Sequence, residues 1–447
     1  MAIELDSASL LDRAVELVER AKAAGATASD AAVSRSRSRS VEVRNGTVEG
    51  TDASESDRIS LRVFVGDRVA SVGADAAGDA RELAERAVAM AKVSPEDRFA
   101  GLAPEDRLAH DFPELDLLDE TEVTTAMLAE DALATEDAAR AVDGVTNSSG
   151  ASAGASVSGL VLATSHGFSG SFNGTSFGHS VSVVAGEGTG MERDYDFTSR
   201  RHYADLDSPA SVGRRAGERV VRRVGGRKVE TTTATVVLEP RIARGLLGTF
   251  TSAINGASVA RGTTFLRDAL GTRIMPESVS ITDDPEIPRR GGSRPFDGEG
   301  VRGGALTLVE DGVLKEWLLS SSIARELGLQ TNGRGARSGS TVRATSTNVA
   351  FSAGDVSPEE LLRQVGTGFY VTEMIGRGAD VVTGDYSRGA SGYWIENGEL
   401  AYPVTEVTVG STLQHMFAEM KLADDLDPTY STVAPTIAIP GMTIAGR

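Results

Sequence analysis

The side chains best suited to chemistry are thinly spread along this chain. Five histidines occur, His110, His166, His179, His202 and His415, and no two lie three to five residues apart. No helix or tight turn therefore presents a histidine pair to a zinc ion. There is no cysteine, which removes disulfides, iron–sulfur clusters, thiolate zinc sites and thiol nucleophiles together. Gly174-Thr175-Ser176-Phe177-Gly178 spells the G-x-S-x-G nucleophile elbow, but an elbow needs a buried strand before the serine and an apolar helix after it. Here polar, alternating Gly/Ser-rich segments flank it. Gly186-Glu187-Gly188-Thr189-Gly190 has the glycines of a dinucleotide loop at the wrong spacing, with Glu187 placed to repel a pyrophosphate. Carboxylates cluster at Glu192–Asp196, Asp283–Glu286 and Asp297–Glu299. None follows the order of a calcium loop, and turns and strand ends account for them. On this reading the chain carries no catalytic residue and no metal ligand set of its own.

The formal charge of −19 argues against a general affinity for nucleic acid, whose phosphates it would repel. One basic run stands out: Arg214, Arg215, Arg219, Arg222, Arg223, Arg227 and Lys228. It reads as the solvated face of a helix, with a docking site for an acidic partner as the alternative. No stretch approaches the roughly 18–20 apolar residues of a membrane helix. Met1-Ala2-Ile3-Glu4-Leu5-Asp6 has neither the basic nor the apolar part of a signal peptide. A cytoplasmic protein, off the membrane, is expected.

The elements that would position any site follow from periodicity. Helices are predicted over 7–24, 79–92, 121–142, 209–224 and 241–254. Ser34 to Ser40 is a strict Ser/Arg alternation that runs through Val41-Glu42-Val43-Arg44 into Asn45-Gly46, a two-residue hairpin turn. Ile59, Leu61, Val63 and Val65 alternate into a second hairpin at Gly66-Asp67, and strands are expected over 155–164, 167–172 and 176–185. The order helix, strands, helix thus occurs twice, which suggests a duplication in the N-terminal half. Three units are expected: 1–95, 118–228, and a larger strand-rich region over 231–447. The fold class is α+β, with antiparallel sheets and packed helices.

The C-terminal third is where the sequence becomes specific. Gly384-Asp385-Tyr386-Ser387-Arg388-Gly389-Ala390-Ser391-Gly392-Tyr393-Trp394-Ile395-Glu396-Asn397-Gly398-Glu399 precedes Tyr402-Pro403-Val404 and Glu406-Val407-Thr408. Physically this is a hairpin turning at Asn397-Gly398, and Ser391, Gly392, Tyr393, Trp394, Asn397 and Gly398 are candidates for gripping an extended peptide by strand addition. A hairpin that only completes the fold is the other reading. The block resembles the signature of the PmbA/TldE proteins, in the TldD/PmbA (modulator of DNA gyrase) metallopeptidase family. Val43-Arg44-Asn45-Gly46, Arg193-Asp194-Tyr195-Asp196, Phe296-Asp297-Gly298-Glu299-Gly300, Ala324-Arg325-Glu326-Leu327-Gly328 and Thr331-Asn332-Gly333 fall in the same family order.

TldD subunits of that family carry a His-Glu-x-x-x-His motif on a helix, after a β-branched strand and a Leu-Leu pair. Here the corresponding strand is Thr235-Val236-Val237-Leu238 and the pair is Leu246-Leu247. Gly248 and Ala253 then stand in the histidine positions and Thr249 in that of the glutamate. The resemblance therefore implies a zinc-motif-lacking subunit that pairs with a zinc-holding TldD-like chain in a cytoplasmic heterodimeric protease. Its substrates would be small or unfolded peptides, including leader peptides. Two alternatives stay open: a metallopeptidase in its own right through another site, and a regulatory binding module related to DNA gyrase. Homodimerisation of the isolated chain also stays open.

Overall fold

The structure is a computed structural model describing residues 7–75, 78–339 and 341–446. The N-terminal half runs α1 (Ser7–Ala23), β1 (Ala28–Arg44), β2 (Thr47–Val65), β3 (Arg68–Asp75) and α2 (Ala80–Val93). It continues through α3 (Thr125–Arg140), β4 (Val145–Thr164), β5 (Ser169–Ala185), β6 (Glu192–Arg200) and α4 (Pro209–Arg223). All six strands form one antiparallel sheet in the order β3-β2-β1-β4-β5-β6. The two helix–strands–helix segments thus share a single sheet, joined through the β1–β4 ladder, and the strand order is mirrored about that ladder.

Asn45 and Gly46 both take positive φ, 51° and 74°, the geometry a two-residue hairpin needs to match strand twist. β2 is longer than the periodicity indicated. It continues through the polar stretch before Ile59 because Arg35 and Arg37 of β1 stand opposite Asp57 and Glu55 and bind them at 2.6 and 3.5 Å. β6 is an additional strand, built from the acidic Glu192–Asp196 segment.

Strand alternation sorts the faces. Ala31, Val33, Leu61, Val63, Val161 and Ala163 are buried beneath α1 and α2. Val41, Val43, Ala153 and Ala155 lie beneath α3, while Val181 and Val183 lie beneath α3 and α4. All four helices therefore cover one face. α3 and α4 touch backbone to backbone: a Cβ on Gly213 would lie 2.3 Å from the Thr135 carbonyl oxygen, and one on Gly217 would lie 2.6 Å from Val142.

The C-terminal half contains β7 (Thr232–Leu238), α5 (Pro240–Ala253), β8 (Gly368–Ile375), β9 (Asp385–Glu396), β10 (Glu399–Thr412), β11 (Lys421–Leu422) and β12 (Ile437–Ala445). These strands are ordered β10-β9-β8-β7-β12-β11, with β7 and β8 parallel. β10 pairs again with β12 at Thr408–Gly410, so five strands close into a barrel. A second sheet of five short strands packs nearby. Between them lies a core containing Val236, Leu246, Leu247, Phe250, Phe369 and Phe417. The class is α+β, as expected. No described helix is long and apolar enough to cross a membrane.

Candidate functional site

α5 follows β7 directly and begins with Pro240, whose fixed φ suits the first helical position. Its buried stripe is Ala243, Leu246, Leu247, Phe250 and Ala253. A Cβ placed on Gly248 would meet nothing within 4 Å, whereas Ala253 is fully buried. Five residues along a regular helix is about 140° of rotation, so the two positions do not share a face here. Thr249 Oγ1 donates to the Gly245 carbonyl at 3.0 Å and Ser252 Oγ to that of Gly248 at 2.9 Å. The residues at Gly248, Thr249 and Ala253 supply no side-chain atom that could ligate zinc, and they do not fit that ion.

The hairpin candidates are separated by the fold. β9 is hydrogen-bonded to β8 on one side and β10 on the other, so its backbone has no free edge for an added strand. The strand-addition expectation fails there because the ladder groups of β9 already have partners. The neighbouring edge of β10 is partly covered too, since Arg227 N donates to the Pro403 carbonyl at 3.2 Å and Thr405 N to that of Arg227 at 3.3 Å. Ser391 is buried with its hydroxyl 3.3 Å from Thr405 Oγ1. Gly392 lies against β8, where a Cβ would come 1.9 Å from the Tyr370 carbonyl oxygen. Trp394 packs on the barrel core. Asn397 and Gly398 make the turn with φ of 55° and 80°. Tyr393 reaches an open cleft of about 500 Å³, shared with Tyr370, Tyr402, Glu239 and Arg241, and Ser391 borders a second, of about 330 Å³, with Glu192, Arg223 and Glu373. At Tyr393, burial pushes the hydroxyl up to about 12 against the pull of Arg223 and Arg222.

The basic run is largely neutralised within the molecule. Arg215, Arg219 and Arg223 form one stripe of α4. Arg215 binds Asp196 at 2.5 Å and Asp207 at 2.7 Å, and Arg219 binds Asp196 at 2.8 Å. Arg223 is buried among Glu192, Asp194 and Glu373. Its Nη1 also donates to the Arg193 carbonyl at 2.9 Å, and Arg241 Nη1 donates to that of Tyr195 at 3.2 Å. These guanidinium groups cap the outer edge of β6. The solvated-face reading holds for Arg214 and Arg222, which are exposed as are Arg227 and Lys228 beyond the helix, and not for Arg215, Arg219 and Arg223. The signal was present: acids every second residue on a strand, arginines every fourth on the next helix.

Opposite the helices, the N-terminal sheet presents a face of small hydroxyl side chains. Ser34, Ser36, Ser38 and Ser40 share it with Ser152, Ser156, Ser176 and Ser180, none of them buried. The Ser/Arg alternation is thus resolved by the pleat, serines to the open face and arginines to the helix side. Ser176 of the G-x-S-x-G match sits mid-strand opposite Ser156, without an elbow. At one margin of this face stand Tyr195, Phe197 and Tyr430, with Arg241 over Tyr195 and Arg244 over Tyr430 at 4.9 and 3.5 Å.

Sequence comparison decides the relationship. The family profiles described as PmbA/TldA metallopeptidase domain 1, central domain and C-terminal domain match residues 29–91, 118–224 and 231–446. This chain belongs to the PmbA/TldD metallopeptidase family. It is 34% identical over 442 residues to Metalloprotease PmbA of Escherichia coli O157:H7, covering 98% of this chain and 96% of the relative. It is 34% identical over 434 residues to the Metalloprotease PmbA homolog of Haemophilus influenzae, covering 96% and 94%. Its fold matches the crystal structure of TldE from Thermococcus kodakarensis with a TM-score of 0.86 at 21% identity, covering 97% of this chain and 100% of that one. Among the described residues, no three His, Cys, Asp or Glu side chains gather in a way that could hold a metal ion. His110 and His166 border one cleft with Glu105. His415 is tied to the Pro440 carbonyl at 2.8 Å and His202 to that of Asp116 at 2.9 Å.

Proposed function

We propose that this PmbA/TldD-family chain is the non-catalytic subunit of a two-chain cytoplasmic peptidase, in which a TldD-like partner holds the zinc. The observation that carries this reading is α5. Where the family resemblance places the metal-binding motif, the chain has Gly248, Thr249 and Ala253, which offer neither an imidazole nor a carboxylate. What remains for the subunit is to shape a chamber and hold substrate. The open serine face supports that role: its hydroxyls can donate and accept towards any peptide backbone, while its small side chains select no particular sequence. Substrates on this reading are small or unfolded peptides, leader segments among them.

The test is metal content and peptide cleavage for the chain purified alone and co-expressed with a TldD-like chain. Zinc and cleavage are expected in the co-expressed complex only. Stoichiometric zinc and chelator-sensitive cleavage in the isolated chain would overturn the proposal.

A further inference from the structure

A cleft of about 860 Å³ opens where the uncovered face of the N-terminal sheet meets loops of the C-terminal half. Ala32, Leu160, Phe172 and Phe296 give it an apolar floor, and Arg58, Arg294 and Arg337 border it. Among the described residues, Arg58 and Arg294 have no carboxylate within ion-pair distance. Arg58 Nε reaches the Ser56 hydroxyl at 3.4 Å. The Arg294 guanidinium reaches only the Gly333 carbonyl, at 3.5 Å, and its Nε is buried without a partner. The Arg337 side chain is 5% exposed; it binds Asp30 at 2.6 Å and the Gly298 carbonyl at 2.5 Å, and its Nη1 is left buried and unpartnered. The Ser60 hydroxyl, also at the cleft, is buried and unpartnered.

A cation withdrawn from water without a counter-ion is costly, and an anion that completes its hydrogen bonds offsets that cost. Burial accordingly pushes the Arg294 guanidinium below its ordinary value. Asp297 and Asp283 attract it only from beyond ion-pair distance, their oxygens being taken by backbone N–H groups and by Arg334 and Thr347. The acids at the cleft border do not serve it either. Asp57 and Glu55 are held by Arg35 and Arg37, and Asp75 stands opposite Arg58 across the β2–β3 ladder.

The strand pattern says what kind of molecule brings the anion. β3 ends at Asp75, opposite Arg58. From Thr47 to Asp57, β2 has β1 on one side and no described strand on the other. Glu55, Ser56 and Asp57, where that free edge begins, border the cleft. The geometry points to a recognition site in which a carboxylate of an extended peptide sits on Arg294 and Arg337 while the peptide backbone adds to the free edge of β2. This rests on the peptide-handling reading above and names the group recognised.

The test uses the full chain and a fluorescein-labelled, otherwise neutral decapeptide in three forms: free C-terminal acid, C-terminal amide, and amide with aspartate as its last residue. Fluorescence anisotropy should show at least one acid form binding ten-fold or more tighter than the neutral amide. The tighter of the two acid forms identifies a chain end or a side chain as the source. Arg294→Met, with thermal unfolding confirming its fold, should abolish the gain, and Arg58→Gln should reduce it. Equal binding of all three peptides, or a gain that survives Arg294→Met, overturns the site. Absence of binding by every peptide also overturns it, and leaves the peptidase reading to stand or fall on cleavage by the co-expressed complex.

Discussion

Gly248 opens onto free space while Ala253, five residues further along the same helix, is fully buried in the barrel core. Neither position supplies an imidazole or a carboxylate, and one of them is sealed in the core. The triple substitution Gly248→His, Thr249→Glu, Ala253→His should leave the chain without stoichiometric zinc by mass spectrometry. Ala253→His alone should lower stability by about 1–3 kcal/mol through overpacking, read from urea unfolding. Tight stoichiometric zinc in the triple variant would show that the helix can rotate or unwind to bring the positions together.

Arg223 joins α4 to both β6 and β8, through Glu192, Asp194 and Glu373. Removing it leaves Glu192 and Glu373 without a counter-ion at the junction of the two halves, while Asp194 keeps Arg241. Arg223→Met should cost roughly 3 kcal/mol, at the lower end of the range for breaking a buried ion pair because Glu192 and Glu373 retain some water. Adding Glu373→Gln should recover part of that loss in a double-mutant cycle. No recovery would mean that the cost lies in packing.

Gly213 touches the Thr135 carbonyl region so closely that even a methyl group has no room. Alanine is the better helix former by about 1 kcal/mol, yet Gly213→Ala should destabilise by about 1–3 kcal/mol because α3 and α4 must separate. A stabilised variant in thermal unfolding would refute close helix contact at this point.

Asp297 supplies the pH test. It is buried and accepts from the backbone N–H groups of Glu299, Val301 and Gly335. Burial, reinforced by the Glu299 carboxylate, pushes it up to about 6 despite Arg294 and those N–H groups. Between its ordinary value and about 6, the folded chain holds a proton that the unfolded chain has lost. Its contribution to stability is thus full at low pH and is lost as pH rises through about 6. Relative to Asp297→Asn, the wild-type unfolding free energy should fall between pH 4 and pH 7 by on the order of 1–3 kcal/mol. A flat or rising difference would contradict the shift. Asp30 nearby moves the other way: burial raises it, but Arg337 and Arg62 outweigh burial and hold it below its usual value. Its own contribution is present above that usual value and is lost only at lower pH.

Local patterns fixed much of the architecture. α1, α2, α4 and α5 fall within a residue or two of the apolar periodicities that predicted them, since an amphipathic stripe needs only one face to pack on. Asn45-Gly46 and Asn397-Gly398 turn where their tolerance of positive φ allows. Other features were decided by partners distant in sequence. Strand β6 and the fate of the arginine run depend on one another, because neither Asp194 nor Arg223 could be buried alone. The blocking of β9 depends on β8, whose pairing across the barrel is absent from the hairpin's own residues. The Arg294 cleft joins residues 32–75, 160 and 172 of the N-terminal half to residues 294–339.

The residue types at Gly248, Thr249 and Ala253, the lack of cysteine and the family blocks are properties of the sequence by itself, and they determined what this chain's own side chains can supply. Which face each position meets, which charges cancel and which strand edge stays free were settled only by tertiary structure. Burial and ion pairing are relations between segments, and their energies exist only once the chain has brought those segments together.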